Sequence, residues 1–475
     1  MKTMTKFLAL LLACALMVGC VPGLAEVPEG YPEILIDPAT GAPYDLGGIT
    51  VYEYGCNGNE DGSRNDPTTV LEMDTQDYQD WLMETYNFQY QIKKVCAYDD
   101  LPQSLLEFAN QEVASAPVIY SIPQDFMLAP LRAGLLQPFS GYEFLDVNDA
   151  SRWNKGVIDV YTLDGNTMAL ASDFSVGAAL VFNKDLLRDC GIEPEDIYAM
   201  VENDEWDFES FEEVMKQCTR DLDNDGVFDV YGLVANGQPE FKLAVYGNGG
   251  AFFRLNDEGK FYISAGEDAV VEAMNWFEKI WFTYTYPQPE GSNWDYYYEA
   301  FKSGKAVFFR AALWELNGDT NPLSHLDEQF EFGAVPFPKG MGVNAQFADQ
   351  KSPYVYVMPA NVPAEDAWKV AFALNMMHTP VPGYTEEDEA WKQSLYNLFC
   401  DEESVDLTCA ILRENAYLDL TSMIGTPNDL LGSNFFWAYI YDGALGAHTV
   451  AELIEGKMPM WTAEIAKANG EAVAE

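Results

Sequence analysis

Nine consecutive residues, Asp221-Leu222-Asp223-Asn224-Asp225-Gly226-Val227-Phe228-Asp229, set carboxylates at positions one, three, five and nine and a glycine at position six. That spacing suits a hard cation. Asp221, Asp223, Asp225 and Asp229 would supply carboxylate oxygens and Val227 a backbone carbonyl, as in a Ca²⁺ loop. Position twelve is Gly232 instead of the bidentate glutamate of the full motif. A structural Ca²⁺ is therefore expected here only with reduced affinity. Catalytic signatures are missing elsewhere: no phosphate-binding G-x-x-x-x-G-K-[ST], no G-x-G-x-x-G after a strand, no H-E-x-x-H and no G-x-S-x-G occurs. Only three histidines exist, His325, His378 and His448, too scattered to suggest a metal or general-base site. No enzymatic role and no required cofactor is expected, although 76 acidic residues leave a carboxylate pair for glycoside hydrolysis open.

The first twenty residues address the chain. Lys2 and Lys6 precede the apolar run Phe7 to Val18, the pattern of a secretory signal and shorter than the ~20 apolar residues of a membrane span. The run stops at Met17-Val18-Gly19-Cys20, which looks like a lipobox. Residues 1–19 are expected to leave as a signal peptide, with Cys20 carrying the lipid that anchors the protein to the extracytoplasmic face of the cell membrane. Loss of two lysines then takes the net charge from −50 to −52, which makes nucleic acid and anionic lipid poor partners. Of the eight cysteines, Cys14 goes with the signal; Cys56, Cys96, Cys190, Cys218, Cys400 and Cys409 show no C-x-x-C spacing. Export permits disulfides, and Cys56 with Cys96 would suit neighbouring strand ends, but buried thiols fit the spacing equally well.

Positioning any site requires a scaffold, and the chain alternates strands and helices. Residues 20–44 are rich in Pro, Gly and Glu without periodicity and are expected to form a tether. Then Ile49 to Tyr54 reads as a strand, Thr69 to Tyr86 as a helix, Phe88 to Val95 as a strand, Leu101 to Glu112 as a helix and Ala116 to Tyr120 as a short buried strand. Asp164-Gly165 marks a hairpin turn. Ala178 to Phe182 is an apolar strand, Asn183 opens a helix ending near Gly191, and a further helix starts around Trp206-Asp207-Phe208 and reaches Arg220. This order predicts an α/β fold, and the length exceeds the ~250–300 residues one core serves, so at least two lobes are expected.

Several short motifs in fixed order resemble the extracellular solute-binding proteins of family 1, the sugar-type receptors that feed ABC permeases. They are Ala116-Pro117-Val118-Ile119 with Ala133 to Pro138; Asp164 through Leu187; Trp206-Asp207-Phe208; Asn248-Gly249-Gly250; Ala300 to Val307; Phe332 to Pro338; and Asn361 to Trp368. The resemblance runs from about residue 49 to 380. It implies a two-lobed periplasmic-binding-protein-like fold of type II with the ligand cleft between the lobes: one lobe from 45–175 plus 335–380, the other from 176–334 plus 381–465, crossing near Phe174–Val181 and Glu331–Pro336. The expected role is that of a monomeric lipoprotein capturing a carbohydrate and delivering it to the transmembrane subunits of an ABC permease.

Sugars offer apolar C–H faces and a rim of hydroxyls, so aromatic platforms and short polar side chains should bind them. The resemblance places Trp294, just before a helix, and Trp314, just after the strand at Ala306, at the cleft, with Tyr297 beside Trp294. Asp125 matches an acceptor of sugar hydroxyls and would otherwise cap a helix over Phe126 to Ala133. Asp173 and Phe174 fall at a crossing. Phe241, Tyr246, Gly249 and Gly250 fall at the cleft floor, where glycines allow close backbone approach; Trp437 would cap the cleft or sit in the core. The alternatives are a receptor for a peptide or polyamine, a glycan hydrolase and a surface adhesin.

Overall fold

The structure is a computed structural model that describes residues 27–149, 152–172, 176–256, 260–318, 320–342, 344–351, 353–384, 391–399, 401–425 and 444–471. Two sheets organise it. The first has the order Phe88–Lys94, Ile49–Gly55, Val118–Pro123, Tyr354–Pro359, Leu136–Gln137. Its first three strands run parallel, and Tyr354–Pro359 runs antiparallel to both neighbours. The second has the order Phe332–Val335, Ala178–Asn183, Ala306–Ala312, Tyr231–Val234. Ala178–Asn183 is antiparallel to both neighbours, and Ala306–Ala312 pairs in parallel with Tyr231–Val234.

Local chemistry explains the elements. Ala178–Asn183 is buried at all six positions, as a central strand covered by helices on both faces must be. The helix Val70–Thr85 starts where the Thr69 hydroxyl accepts from Glu72 N and the Glu72 carboxylate reaches back to Thr69 N. Asp207 Oδ1 likewise accepts from Glu209 N and Ser210 N to open Phe208–Cys218, while Trp206 beside it is buried and donates to the Pro336 carbonyl at 2.9 Å. Asp164 and Gly165, at φ 50° and 79°, form the two-residue turn joining Thr162–Leu163 to Asn166–Thr167.

Each sheet has its own apolar core. Tyr78, Phe88, Ile119 and Phe372 pack on the first; Trp206, Phe211, Phe308 and Trp461 on the second. The chain passes from first to second sheet between Leu170, bridged to Tyr356, and Ala178. It returns between Ala348 and Tyr354, later than the expected division at 335, because Phe337, Phe347 and Ala348 pack in the second core. On that return, Asp349–Lys351 pairs with Ala416–Leu418, and the buried Asp349 carboxylate accepts from Gly177 N at 2.6 Å and Ala178 N at 3.2 Å. One carboxylate thus ties the two crossings together.

Some expectations need correction. Residues 27–44 are not a free tether: the Tyr31 ring lies 5.0 Å from both Tyr78 and Trp81, Tyr44 packs on Phe372 at 4.7 Å, and Leu35 N donates to the Tyr86 hydroxyl. Aromatic side chains in a Pro- and Gly-rich stretch anchor it. The helix expected to reach Glu112 is Leu101–Ala109, and the one expected to reach Arg220 is Phe208–Cys218. Cys56, Cys96, Cys190, Cys218 and Cys409 are free thiols. Cys20, Cys400 and the signal segment lie outside the described residues, and no described helix is long and apolar enough to cross a membrane.

Candidate functional site

In open α/β sheets, ligands meet the loops beyond the strand ends, so those ends are where the candidate residues matter. In the second lobe, Ala306–Ala312 runs directly into the short helix Leu313–Leu316. Glu315 locks the junction: Oε2 accepts from Ala312 N at 2.8 Å and Oε1 accepts the Tyr298 hydroxyl at 2.5 Å. Burial and the Glu315 carboxylate push the Tyr298 phenol far above its ordinary range, which keeps it a donor. With Glu315 held inward, Trp314 beside it turns out to solvent at 59% exposure, and Asn321 Nδ2 donates to its carbonyl at 2.7 Å. Trp294, before the helix Tyr296–Lys302, is 62% exposed.

Both tryptophans line one hollow of about 740 Å³, together with Tyr298, Tyr286, Thr320 and Pro322. Two large indoles left this open cost hydrophobic free energy unless something covers them. Tyr297 serves differently from expectation. It is 1% exposed, stacks on Phe309 at 5.7 Å, accepts from Asn236 Nδ2 at 3.0 Å and stands edge-on to Trp294 at 6.1 Å. Tyr297 is the buttress behind Trp294, not a surface for ligand.

The helix Gln238–Gly247 also corrects the expectations. Phe241 is 1% exposed and stacks on Phe252; Tyr246 is 3% exposed and stacks on Tyr417 at 3.8 Å. Burial first, then Asp419, drives the Tyr246 phenol well above its usual value. Asp419 also receives Lys242 Nζ at 2.7 Å. Gly249 has φ 74°, and a Cβ there would come within 2.8 Å of Asn344; a Cβ on Gly250 would meet the Val245 carbonyl at 3.0 Å. The two glycines admit neighbouring protein, which accounts for them without a ligand.

In the first lobe, the chain leaves Val118–Pro123 in a tight turn, Gln124–Phe126, that holds Asp125 half-buried. The following helix is Leu128–Arg132, whose N-cap position is Met127 and not Asp125. The Phe126 ring lies 5.2 Å from Tyr98, whose phenol is raised by burial and then by Asp125. Cys56 Sγ, one residue beyond Ile49–Gly55, is 3.4 Å from the Tyr354 hydroxyl. Tyr98, Phe126 and Tyr354 surround this strand end and were not among the expected site residues. Tyr98 and Phe126 fall within a few residues of a parallel strand's C-terminal end, a usable signal; Tyr354 joins them only through its register with Pro123. Asp173, Phe174 and Trp437 lie outside the described residues.

The acidic loop brings carboxylate oxygens of Asp221, Asp223 and Asp225 within 4.8 Å of one another. Asp229 does not join them: its Oδ2 accepts Leu222 N at 2.8 Å. Asn224 and Gly226, at φ 61° and 92°, curl the loop so that Asp221 accepts Asn224 N and Gly226 N.

Two α/β lobes are thus joined by crossing segments, with aromatic and polar side chains at their strand ends. A family model described as bacterial extracellular solute-binding protein matches residues 78–377, and the chain belongs to that family. Solved structures with the same two-lobed fold include a cyclic α-maltosyl-1,6-maltose binding protein from Arthrobacter globiformis, at 15% identity and TM-score 0.61 over 88% of this chain and 99% of that one. Others are a cyclo/maltodextrin-binding protein complexed with maltotetraose, at 15% and 0.56 over 88% and 97%, and an ABC substrate-binding protein from Listeria monocytogenes in complex with cycloalternan, at 16% and 0.56 over 89% and 99%. Among curated proteins, none matches.

Proposed function

We propose that this protein is the receptor of an ABC importer that captures a carbohydrate, an oligosaccharide by preference, between its lobes and delivers it to the permease. The observation that carries the reading is the pair Trp294 and Trp314, each more than half exposed on one hollow, a pairing suited to the C–H faces of sugar rings. Sugar-binding proteins among the structures of like fold support it. Asp125 in the first lobe would accept hydroxyl hydrogen bonds as the lobes close about the crossings pinned by Asp349. The protein would act as a monomer on the extracytoplasmic face, anchored through a lipid on Cys20. Asp221, Asp223 and Asp225, with the Val227 carbonyl, suit a structural Ca²⁺ by donor type, while Asp229 holds Leu222 N instead.

Melting the purified soluble domain against a panel of α-1,4-gluco-, β-1,4-gluco-, xylo- and manno-oligosaccharides, amino acids, peptides and polyamines tests this. A ligand at 100 times its Kd adds about 2.7 kcal/mol. A rise with one oligosaccharide series supports the reading; a rise with only a peptide or amine replaces the ligand class. Added Ca²⁺ after chelation should raise the melting temperature, and no change would remove the ion.

A further inference from the structure

The aromatic surface does not stop at Trp294. A second hollow of about 590 Å³ adjoins the first and shares Tyr286, Pro289 and Tyr296 with it. Beneath that shared wall the rings pack in series, Phe228 to Tyr231 at 5.6 Å, Tyr231 to Tyr286 at 5.4 Å, Tyr286 to Tyr296 at 6.3 Å, then through the buried Tyr296 and Tyr297 to Trp294 at 5.8 and 6.1 Å. Different parts of the chain build it. Phe228 closes the acidic loop, Tyr231 opens the outer strand of the second sheet, and Trp281 and Phe282 end the helix Asp268–Tyr284. On one flank Gly446 lies so near Phe282 that a Cβ there would stand 3.3 Å from the ring.

Phe228 and Phe282 remain 46% and 56% exposed. Thr283, Gln288 and Glu290 add a hydroxyl, an amide and a carboxylate to the same hollow. Ring faces combined with short polar groups match a pyranose, as the first hollow does. An isolated apolar depression would say little; continuity with the tryptophan hollow through a shared wall is what fixes the occupant.

We propose that the second hollow is an outer subsite, holding the far end of an oligosaccharide whose other end lies against Trp294 and Trp314. This rests on the carbohydrate reading and adds to it a requirement for chain length: the ligand reaches out of the cleft across the face of the second lobe.

The test takes the oligosaccharide series that raises the melting temperature and titrates it calorimetrically at two and at six units, into the unsubstituted protein and into Phe228→Ala/Phe282→Ala. Both side chains are half-exposed, so the unliganded variant should melt as the parent does. Should it melt early, Phe228→Leu, which keeps apolar bulk and removes the ring face, is titrated instead. The expected result is about tenfold weaker binding of the six-unit sugar with unchanged binding of the two-unit sugar. Equal affinity for both lengths, or a six-unit affinity indifferent to the substitutions, overturns the outer subsite while leaving the receptor reading intact. If no oligosaccharide of any length binds, the carbohydrate reading fails and takes the subsite with it.

Discussion

Two stretches of the second lobe, Phe241 to Gly250 and Trp294 to Trp314, carry aromatic residues that a family resemblance assigns to the cleft, and their structures are opposite. Phe241 and Tyr246 lie inside a helix packed on both sides, each covered by another ring. Trp294 and Trp314 stand at the start of a helix and just past the end of a strand, and are open to solvent. In these two stretches the aromatics in the middle of a packed helix are buried, and those at an element's edge stay open. Tyr297, three residues beyond Trp294 and already on the helix, shows how abrupt the change is.

Separate readouts can break this contrast. Phe241→Ala should cost about 3–5 kcal/mol of stability, read as a lower denaturant midpoint, because it empties a filled core site. A marginal loss would mean that the ring faces a cavity after all. The first lobe offers a parallel contrast between its buried sheet and its open strand ends. Glu53 is buried on the interior strand Ile49–Gly55 with Tyr90 donating to it at 2.9 Å, and burial raises its carboxyl to about 7. A raised acid pKa means the folded state holds the extra proton, so stability falls as pH rises from about 4.5 to 7. Glu53→Gln should abolish that slope and stabilise the protein at pH 8 by up to about 3 kcal/mol, leaving it nearly unchanged at pH 4. Chemical denaturation of both proteins at the two pH values checks it; equal curves at pH 8 would show that Glu53 ionises freely.

Trp314→Ala should do the reverse of Phe241→Ala, weakening ligand binding by about 1–3 kcal/mol with stability almost untouched. Calorimetry beside a melting curve separates the two. The smallest effect is expected of Tyr246→Phe, about 1 kcal/mol of stability for the lost contact to Asp419, since Lys242 and Thr421 still hold that carboxylate. A loss near that of Phe241→Ala would move Tyr246 from packing to network.

Much of the scaffold was legible because its signals are local. Thr69 with Glu72, Asp207 with Ser210 and Asp164-Gly165 each announce an element boundary through bonds made within a few residues. The site was legible only in part. The exposure of Trp294 and Trp314 goes with their places at element ends, but burial of Phe241, Tyr246 and Tyr297 depends on partners on other elements, Phe252, Tyr417 and Phe309. Tyr354 reaches the first lobe's edge only through antiparallel register with Val118–Pro123, which no local pattern encodes. The packing of Tyr31 on Tyr78 and Trp81 was hidden in the same way, within a stretch whose composition reads as tether.

The central claim is that the open tryptophans hold a carbohydrate. Its most direct test is calorimetric titration of the active oligosaccharide series into the unsubstituted protein and into Trp294→Ala/Trp314→Ala, with melting curves of both proteins without ligand. The account predicts matching melting curves and binding lost or weakened at least a hundredfold in the variant. Undiminished sugar affinity in a variant that melts like its parent would contradict it.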